Sequence, residues 1–346
     1  MRTDSNFASS EHIRQAASIS KALAAPSWRV FVYKTAIVQL YGMHERFMRE
    51  LSDALAETIS QAYASYDELP EAIQNSHLRL SLEHFQTIMR SRTADDPIMQ
   101  LKSAMSSLVG CLSGSVALTK DAMRSHGANF RHDMVRDLVS RYAVEIPKWS
   151  VDMYWKGFPF GSLHGIYASP TSLIDELADR RNDVAHGGDI DGVLDNAMLS
   201  DMARAVYLYD LWILRVAARS LLTRLVDKYG MQIASVDHYW PSTGASRLVD
   251  VGSKISVGSM VFIQSKGVEL TTVKSLQKEK TTIHSAEPGG GPFGAVFGVA
   301  ARRGNRILAL PLRLAGTQES LWSAATVEPH PGIASATESM VMASGA

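Results

Sequence analysis

The chain has 346 residues, of which 46% are hydrophobic and 20% are charged, so it can form one large domain or two ordinary ones. Its 35 Lys/Arg and 35 Asp/Glu residues give a formal net charge of zero, which excludes a protein that holds nucleic acid by overall basicity. The single cysteine, Cys111, excludes an internal disulfide framework and a zinc site built from cysteines.

The longest apolar stretches of the chain do not predict a membrane span. Residues 104–119 are too few and too rich in serine, and residues 206–222 contain Asp210, Arg215 and Arg219. The N-terminal residues show no apolar signal core. We therefore expect a soluble protein of the cytoplasm without a membrane partner.

Up to about residue 230, proline is scarce and the apolar residues recur at helical spacing. This pattern predicts helices over about 11–23, 27–64, 71–92, 97–118 and 131–142. The clearest stripe, on the helix over 27–64, consists of Tyr33, Ile37, Leu40, His44, Phe47, Leu51 and Leu55. His44 could reach a polar cleft, but a histidine on an apolar stripe is more often a hydrogen-bonded core residue, and we favour that interpretation.

Aromatic and proline residues are concentrated in residues 147–168. Such a segment could stack on bases, but a loop fixed to the core by its own rings is the favoured interpretation. Ser169-Pro170-Thr171 then predicts the start of a helix that Gly187-Gly188 ends, and a last long helix is predicted over about 196–229.

After Gly230 the pattern changes to short β-branched and alternating runs separated by glycine and proline. Strands are predicted at 254–263, 268–273, 281–284, 294–299 and 306–312, a spacing that favours a small barrel or curled sheet. Residues 315–346 are rich in Ala, Ser, Thr and Gly and are predicted to be a poorly ordered tail. Residues 241–346 contain ten Lys/Arg and seven Asp/Glu, so this part is slightly basic.

The segment from Asp175 to Gly187 carries the candidate chemistry. On a helix, Asn182 and Asp183 lie four and three residues before His186 and share its face, whereas Arg181 lies about 140° around the axis. A histidine can transfer protons at a ribose 2′-hydroxyl or a leaving 5′-oxygen, and an arginine can bind the phosphate between them. Arg181, Asn182 and His186 are therefore candidate catalytic residues, and Arg180 and Asp183 are candidates for substrate binding.

The same spacing also fits an ordinary solvated helix face. Arg180 follows Glu176 by four residues, which predicts an ion pair, and a histidine before two glycines can simply interact with the C-terminal end of the helix. Spacing alone therefore does not decide between the two interpretations.

The sequence from Arg181 to Gly187 resembles the "RN, two to four residues, AHG" signature of the HEPN superfamily, and residues 40–47 resemble the first-helix segment of its RiboL-PSP branch. The resemblance covers about residues 28–229. It implies a helical bundle that dimerises, in which Arg181 and His186 match the catalytic pair and Asn182 matches the polar position beside the arginine. Many members of the superfamily are metal-independent endoribonucleases of toxin–antitoxin, abortive-infection and phage-defence systems, and others are inactive binding modules.

Together these features predict an α+β protein that is mainly α. We expect an N-terminal helical extension (1–27), a HEPN-like helical domain (28–230), a small β-rich, barrel-like domain (245–314) and the tail (315–346). The expected function is a homodimeric endoribonuclease with RNA as its substrate, no metal and no cofactor, and an antitoxin or trigger protein as a partner of the β-rich domain. The alternative is an inactive HEPN dimerisation or nucleotide-binding module whose β-rich domain binds a protein.

Overall fold

The computed structural model describes residues 26–90, 96–147, 167, 169–187, 192–265 and 267–326. The predicted class is confirmed, because helices form the N-terminal part and an antiparallel sheet follows. The chain divides into two compact units, one comprising the described residues up to Leu214 and the other Arg215–Thr326. The predicted helix over 11–23 and almost all of the aromatic segment lie outside the described residues.

The first unit is built from helices that pack around buried apolar side chains. They are α1 (Pro26–Ala62), α2 (Glu71–Arg90), α3 (Pro97–Leu112), α4 (Lys120–Met123), α5 (His132–Ser140), α6 (Pro170–His186) and the first part of α7 (Asn196–Tyr229), with a 3-10 turn at Tyr66–Glu68. The stripe predicted on α1 is confirmed for residues such as Tyr33, Ile37 and Leu51, which are buried, whereas Phe47 is only half-buried. Among the described residues, no helix is both long and apolar enough to cross a membrane.

The helix predicted over 97–118 is too long by six residues. It ends at Leu112, where the N–H of Ser113 caps the helix by donating to the carbonyl of Val109. Gly114 then adopts a φ of +103°, which turns the chain out of the helix. The residues after this turn are as apolar as those of the helix, which is why the predicted helix was too long, but they are not helical.

The second unit contains a closed sheet. Its strands are β1 (Met231–Trp240), β2 (Ala245–Val249), β3 (Ile255–Ser256), β4 (Met260–Gln264), β5 (Val268–Lys278), β6 (Thr281–Ile283), β7 (Ser285–Ala286), β8 (Phe293–Phe297) and β9 (Arg306–Ala309). The order is β4-β9-β1-β2-β8-β5-β6, and β4 also pairs with β5, so that six strands form an antiparallel ring. The predicted barrel-like region is therefore confirmed.

Two parts of the C-terminal prediction were wrong. The single strand over 254–263 is broken at Gly258, whose φ is +86°, so that β3 and β4 belong to different sheets. The predicted tail begins with a helix, α8 (Ala315–Thr326), rather than with unordered chain. Leu321 and Ala325 are four residues apart and buried on one face of α8, and this burial stabilises a helix whose composition is weakly apolar. Residues 327–346 lie outside the described residues.

Candidate active site

Helix α6 presents the predicted motif at its C-terminal end. The Ser169 hydroxyl accepts a hydrogen bond from the N–H of Ser172 at 3.2 Å and caps the first turn, where Pro170 needs no donor partner. At the other end, Gly187 adopts a φ of +70° and terminates the helix. Both predicted boundaries of α6 are thus confirmed, and His186 is its last residue, exposed to solvent.

An open cleft of about 570 Å³ lies beside this helix end. Three segments of the first unit line it: α1, the loop between α4 and α5, and α6. The lining residues are Tyr41, Glu45, His126, Gly127, Ala128, Asn129, Arg131, Arg181, Asn182 and His186. The structure therefore brings the three residues predicted as catalytic to one cavity.

Asn182 joins the motif to the opposite wall of the cleft. Its side-chain oxygen accepts hydrogen bonds from the amide of Asn129 at 2.7 Å and from the guanidinium of Arg181 at 3.3 Å. The oxygen is thereby used by two donors, and within the described part of the chain the Asn182 NH₂ group has no acceptor. Asn182 can therefore hold Arg181 in position and still donate into the cleft.

Tyr41 provides a fixed surface for Arg181. The Arg181 guanidinium carbon lies 5.3 Å from the centre of the Tyr41 ring, a cation–π arrangement. Tyr41 is buried, its hydroxyl accepts a hydrogen bond from the N–H of Phe130 at 2.9 Å, and burial raises the pKa of this hydroxyl. The phenol therefore stays neutral and serves as packing and acceptor rather than as a charged group.

Charged contacts hold the α4–α5 loop against α6. Arg131 forms a two-pronged ion pair with Asp179, in which one contact measures 2.9 Å, and this hydrogen bonding lowers the pKa of the Asp179 carboxyl. The N–H of His132 donates to Asp175 at 2.9 Å. These contacts fix the loop that supplies His126 and Asn129 to the cleft.

His44 does not reach the cleft, so the interpretation as a core residue is confirmed. Its side chain is fully buried, with Nδ1 2.7 Å from a carboxylate oxygen of Asp210 and Nε2 3.3 Å from the carbonyl of Phe130. Burial raises the pKa of Asp210, and the contact with His44 opposes this shift. The pair fixes α1 against α7 beneath the cleft.

Arg180 and Asp183, predicted to bind substrate, do not line the described part of the cleft. Arg180 donates to the hydroxyl of Tyr33 at 2.7 Å and to the carbonyl of Gly192 at 3.2 Å, and its Nε lies 2.8 Å from Glu176. The ion pair that the spacing predicted is present. The predicted role of Arg180 and Asp183 in substrate binding stays a prediction.

Five of the lining side chains were not predicted from the sequence. Tyr41 and Glu45 lie in the first-helix segment noted for its resemblance, but without an assigned role. His126, Asn129 and Arg131 lie in a short loop in which Ser, His, Gly, Ala and Asn follow one another between two helices. A histidine in a polar loop was the only sequence feature that pointed to a site. Because the loop is far from α6 in the sequence, its contact with α6 could not be predicted.

A second cavity in the first unit, of about 580 Å³, offers less chemistry. Its described lining combines Trp28, Arg29, Val32 and Tyr33 with the start of α7, and it contains no histidine. Asp195, its acidic residue, accepts a hydrogen bond from the N–H of Met198 and so caps α7. Among the described residues, no three His, Cys, Asp or Glu side chains are grouped to hold a metal ion.

A helical unit that gathers an arginine, an asparagine and a histidine at the end of its penultimate helix is the arrangement of a HEPN domain. The family model RiboL-PSP-HEPN matches residues 10–206, more than half of the chain, and the chain belongs to this family. Neither a curated protein nor a solved structure matches the chain. HEPN domains are often ribonucleases, and the family match suggests an RNase-like or nucleotide-related function.

Proposed function

We propose that the chain is a metal-independent endoribonuclease. The observation that supports this most directly is the grouping of Arg181, Asn182 and His186 in one solvent-open cleft of a HEPN domain. In transesterification of an RNA phosphodiester, an imidazole can move protons, and a guanidinium and an amide can stabilise the charge on the phosphate.

In the proposed reaction, the ribose 2′-oxygen attacks the adjacent phosphorus and the bond to the 5′-oxygen breaks. Arg181 binds the non-bridging oxygens and stabilises the charge that develops on them. Asn182 orients Arg181 through the 3.3 Å hydrogen bond and can donate to the phosphate with its NH₂ group. His186, exposed at the helix end, transfers a proton. The products are a 2′,3′-cyclic phosphate and a 5′-hydroxyl.

We also propose that the protein acts as a homodimer, with two copies of the Arg181/Asn182/His186 set around one RNA. The open shape of the cleft and the position of the set at the end of a helix leave room for a second chain. The β-rich unit would then be the site at which an antitoxin or a trigger protein binds, as in a toxin or phage-defence effector.

The test is cleavage of mixed cellular RNA by purified protein in the presence of EDTA, with the ends of the fragments mapped. We expect 2′,3′-cyclic phosphate ends, and a loss of at least about 100-fold in rate for His186→Ala, since this variant removes an acid–base group. His238→Ala, which changes an exposed histidine of β1, is the matched control and should cut like the wild type. Equal cutting by the His186 variant and the wild type would contradict the proposal.

Growth provides a second test of the proposed cellular role. Expression of the wild-type chain without its neutralising partner should slow growth, because uncontrolled cleavage depletes cellular RNA. Expression of His186→Ala at the same level should not. If the wild type neither slows growth nor cuts RNA, the chain is an inactive HEPN module instead.

A further inference from the structure

We propose that His126 is the general base of the same cleft, so that one chain holds both the base and the acid of the reaction. This inference rests on the proposed function, and it changes what is required of the second chain. The sequence motif supplies only one histidine to each cleft. His126 follows α4, sixty residues before His186, and nothing in the motif indicates it.

The position of His126 in the cleft is the first observation that supports this role. His126 and His186 line the same cavity, together with Arg181 and Asn182. The loop that carries His126 is tied to α6 by the hydrogen bond between Asn129 and Asn182 at 2.7 Å. A phosphate bound by Arg181 would therefore have a histidine available from each of two walls.

The second observation is the hydrogen bond that orients the His126 ring. Its Nδ1 lies 2.8 Å from the carbonyl oxygen of Ala128, and a carbonyl oxygen can only accept. Nδ1 therefore carries the proton, and in the neutral ring Nε2 is the unprotonated nitrogen. A nitrogen with a free electron pair is what a general base needs, and the Ala128 carbonyl also stabilises the ring once it is protonated.

The third observation is that the ring is held in place. The centre of the His126 ring lies 4.1 Å from that of Phe130, which is fully buried. The backbone of Phe130 is in turn bonded to the Tyr41 hydroxyl, the same residue that supports Arg181. The base and the phosphate-binding guanidinium are thus positioned by one shared group.

In the inferred reaction, His126 removes one proton from the RNA and His186 supplies another. Nε2 of His126 takes the proton of the ribose 2′-hydroxyl as the oxygen forms its bond to phosphorus. The bond between phosphorus and the 5′-oxygen breaks, and the protonated imidazole of His186 gives its proton to that oxygen. The RNA ends as a cyclic phosphate and a 5′-hydroxyl, His126 is protonated and His186 is neutral, and exchange with water restores both.

The experiment compares two substrates: a short RNA, and a uridine 3′-phosphate ester whose leaving group is 4-nitrophenolate. The nitrophenolate leaves as an anion and needs no acid, whereas the attacking 2′-hydroxyl still needs a base. We expect His126→Ala to slow cleavage of both substrates by about 100-fold, whereas His186→Ala slows cleavage of RNA alone.

The variant His126→Phe keeps an aromatic ring packed against Phe130 but has no ring nitrogen. It therefore separates a catalytic role of His126 from a structural one. If this variant folds with an unchanged circular dichroism spectrum and is as slow as His126→Ala, the nitrogen is required. Cleavage of both substrates by His126→Phe at the wild-type rate would overturn the inference, while the loss of activity in His186→Ala would leave the proposed ribonuclease intact. If the wild type cuts neither substrate, both proposals fail.

Discussion

The hydrogen bonds of the buried residue His77 define which of its ring nitrogens carries the proton. His77 on α2 is fully buried, and its Nε2 accepts the N–H of Thr119 at 3.0 Å. Nδ1 therefore carries the ring proton and lies 3.1 Å from the Tyr66 hydroxyl, which donates onward to the carbonyl of Gln74. Every polar atom of the ring is used in the neutral form, so a second proton would cost both a hydrogen bond and the burial of a charge.

This arrangement predicts a loss of stability in mild acid. Burial lowers the pKa of His77 from 6.5 to about 4, so between these values the unfolded chain takes up a proton that the folded chain does not. The free energy of unfolding should therefore fall as pH falls from 6.5 to 4, by roughly 3 kcal/mol from this residue. Urea unfolding of the wild type and of His77→Gln, measured across this range, checks the prediction, because glutamine cannot titrate.

His84→Gln is the control for this measurement. His84 lies on the same helix but is only partly buried, so the variant should keep the acid sensitivity of the wild type. The same pH dependence in His77→Gln as in the wild type would show that other groups cause the acid sensitivity.

At the scale of single elements, helix α6 determines where the chemistry lies. Its buried face, Leu173, Ile174 and Leu177, fixes the helix in the unit, and its last residue is His186. The helix ends there because Gly187 adopts a φ of +70°, a conformation that a side chain disfavours. The position of the candidate acid therefore depends on one glycine.

Two glycine-to-alanine changes should have opposite effects on stability. Gly187→Ala should lower the free energy of unfolding by about 1 kcal/mol, because alanine is strained at this φ. Gly42→Ala, in the middle of α1 with nothing within 4 Å of the added carbon, should raise it by about 0.5–1 kcal/mol, because alanine favours the helix. Urea unfolding followed by the helical circular dichroism signal measures both. Stabilisation by Gly187→Ala would contradict the described helix end.

In the proposed dimer, the second chain either completes the acid–base pair of one site or carries a separate site of its own. If His126 and His186 serve one phosphate, a single intact chain in a dimer keeps a complete acid–base pair. If instead the two His186 residues of a dimer serve one phosphate, a mixed dimer has lost one of them. The two arrangements can be separated without knowledge of the natural RNA.

A mixed dimer of wild-type and His186→Ala chains should keep half the activity of the wild-type dimer. The two chains would carry different affinity tags, be co-expressed and be purified through both tags in turn. Sedimentation checks that the product is a dimer, and a mixed dimer with His238→Ala controls for the tags. A mixed dimer that does not cut RNA would show that one site needs both His186 residues.

The elements that could be predicted from sequence are those defined by local signals. The start of α6 at Ser169-Pro170, its end at Gly187 and the apolar stripe of α1 depend on residues that are neighbours in the chain. Strand β1 was missed because register shifts, at Gln232/Ala234 and Val236/His238, interrupt the alternation of inward and outward side chains along it. A pattern of period two cannot be recognised across such bulges. In β2 the two buried positions are Ser246 and Leu248, so a buried serine interrupts the apolar alternation.

The helical class of the first part, the β-rich character of the second and the motif of Arg181, Asn182 and His186 could all be read from the amino-acid sequence. The three-dimensional structure was needed to show that β4 pairs with β5 to close the barrel, that Asp210 is the partner of His44, and that His126 and Asn129 face the motif. These contacts could not be predicted because the residues that make them are far apart along the chain. Capping, helical spacing and turns act between neighbours, whereas a cleft is formed by segments that meet only when the apolar faces of their helices are buried together.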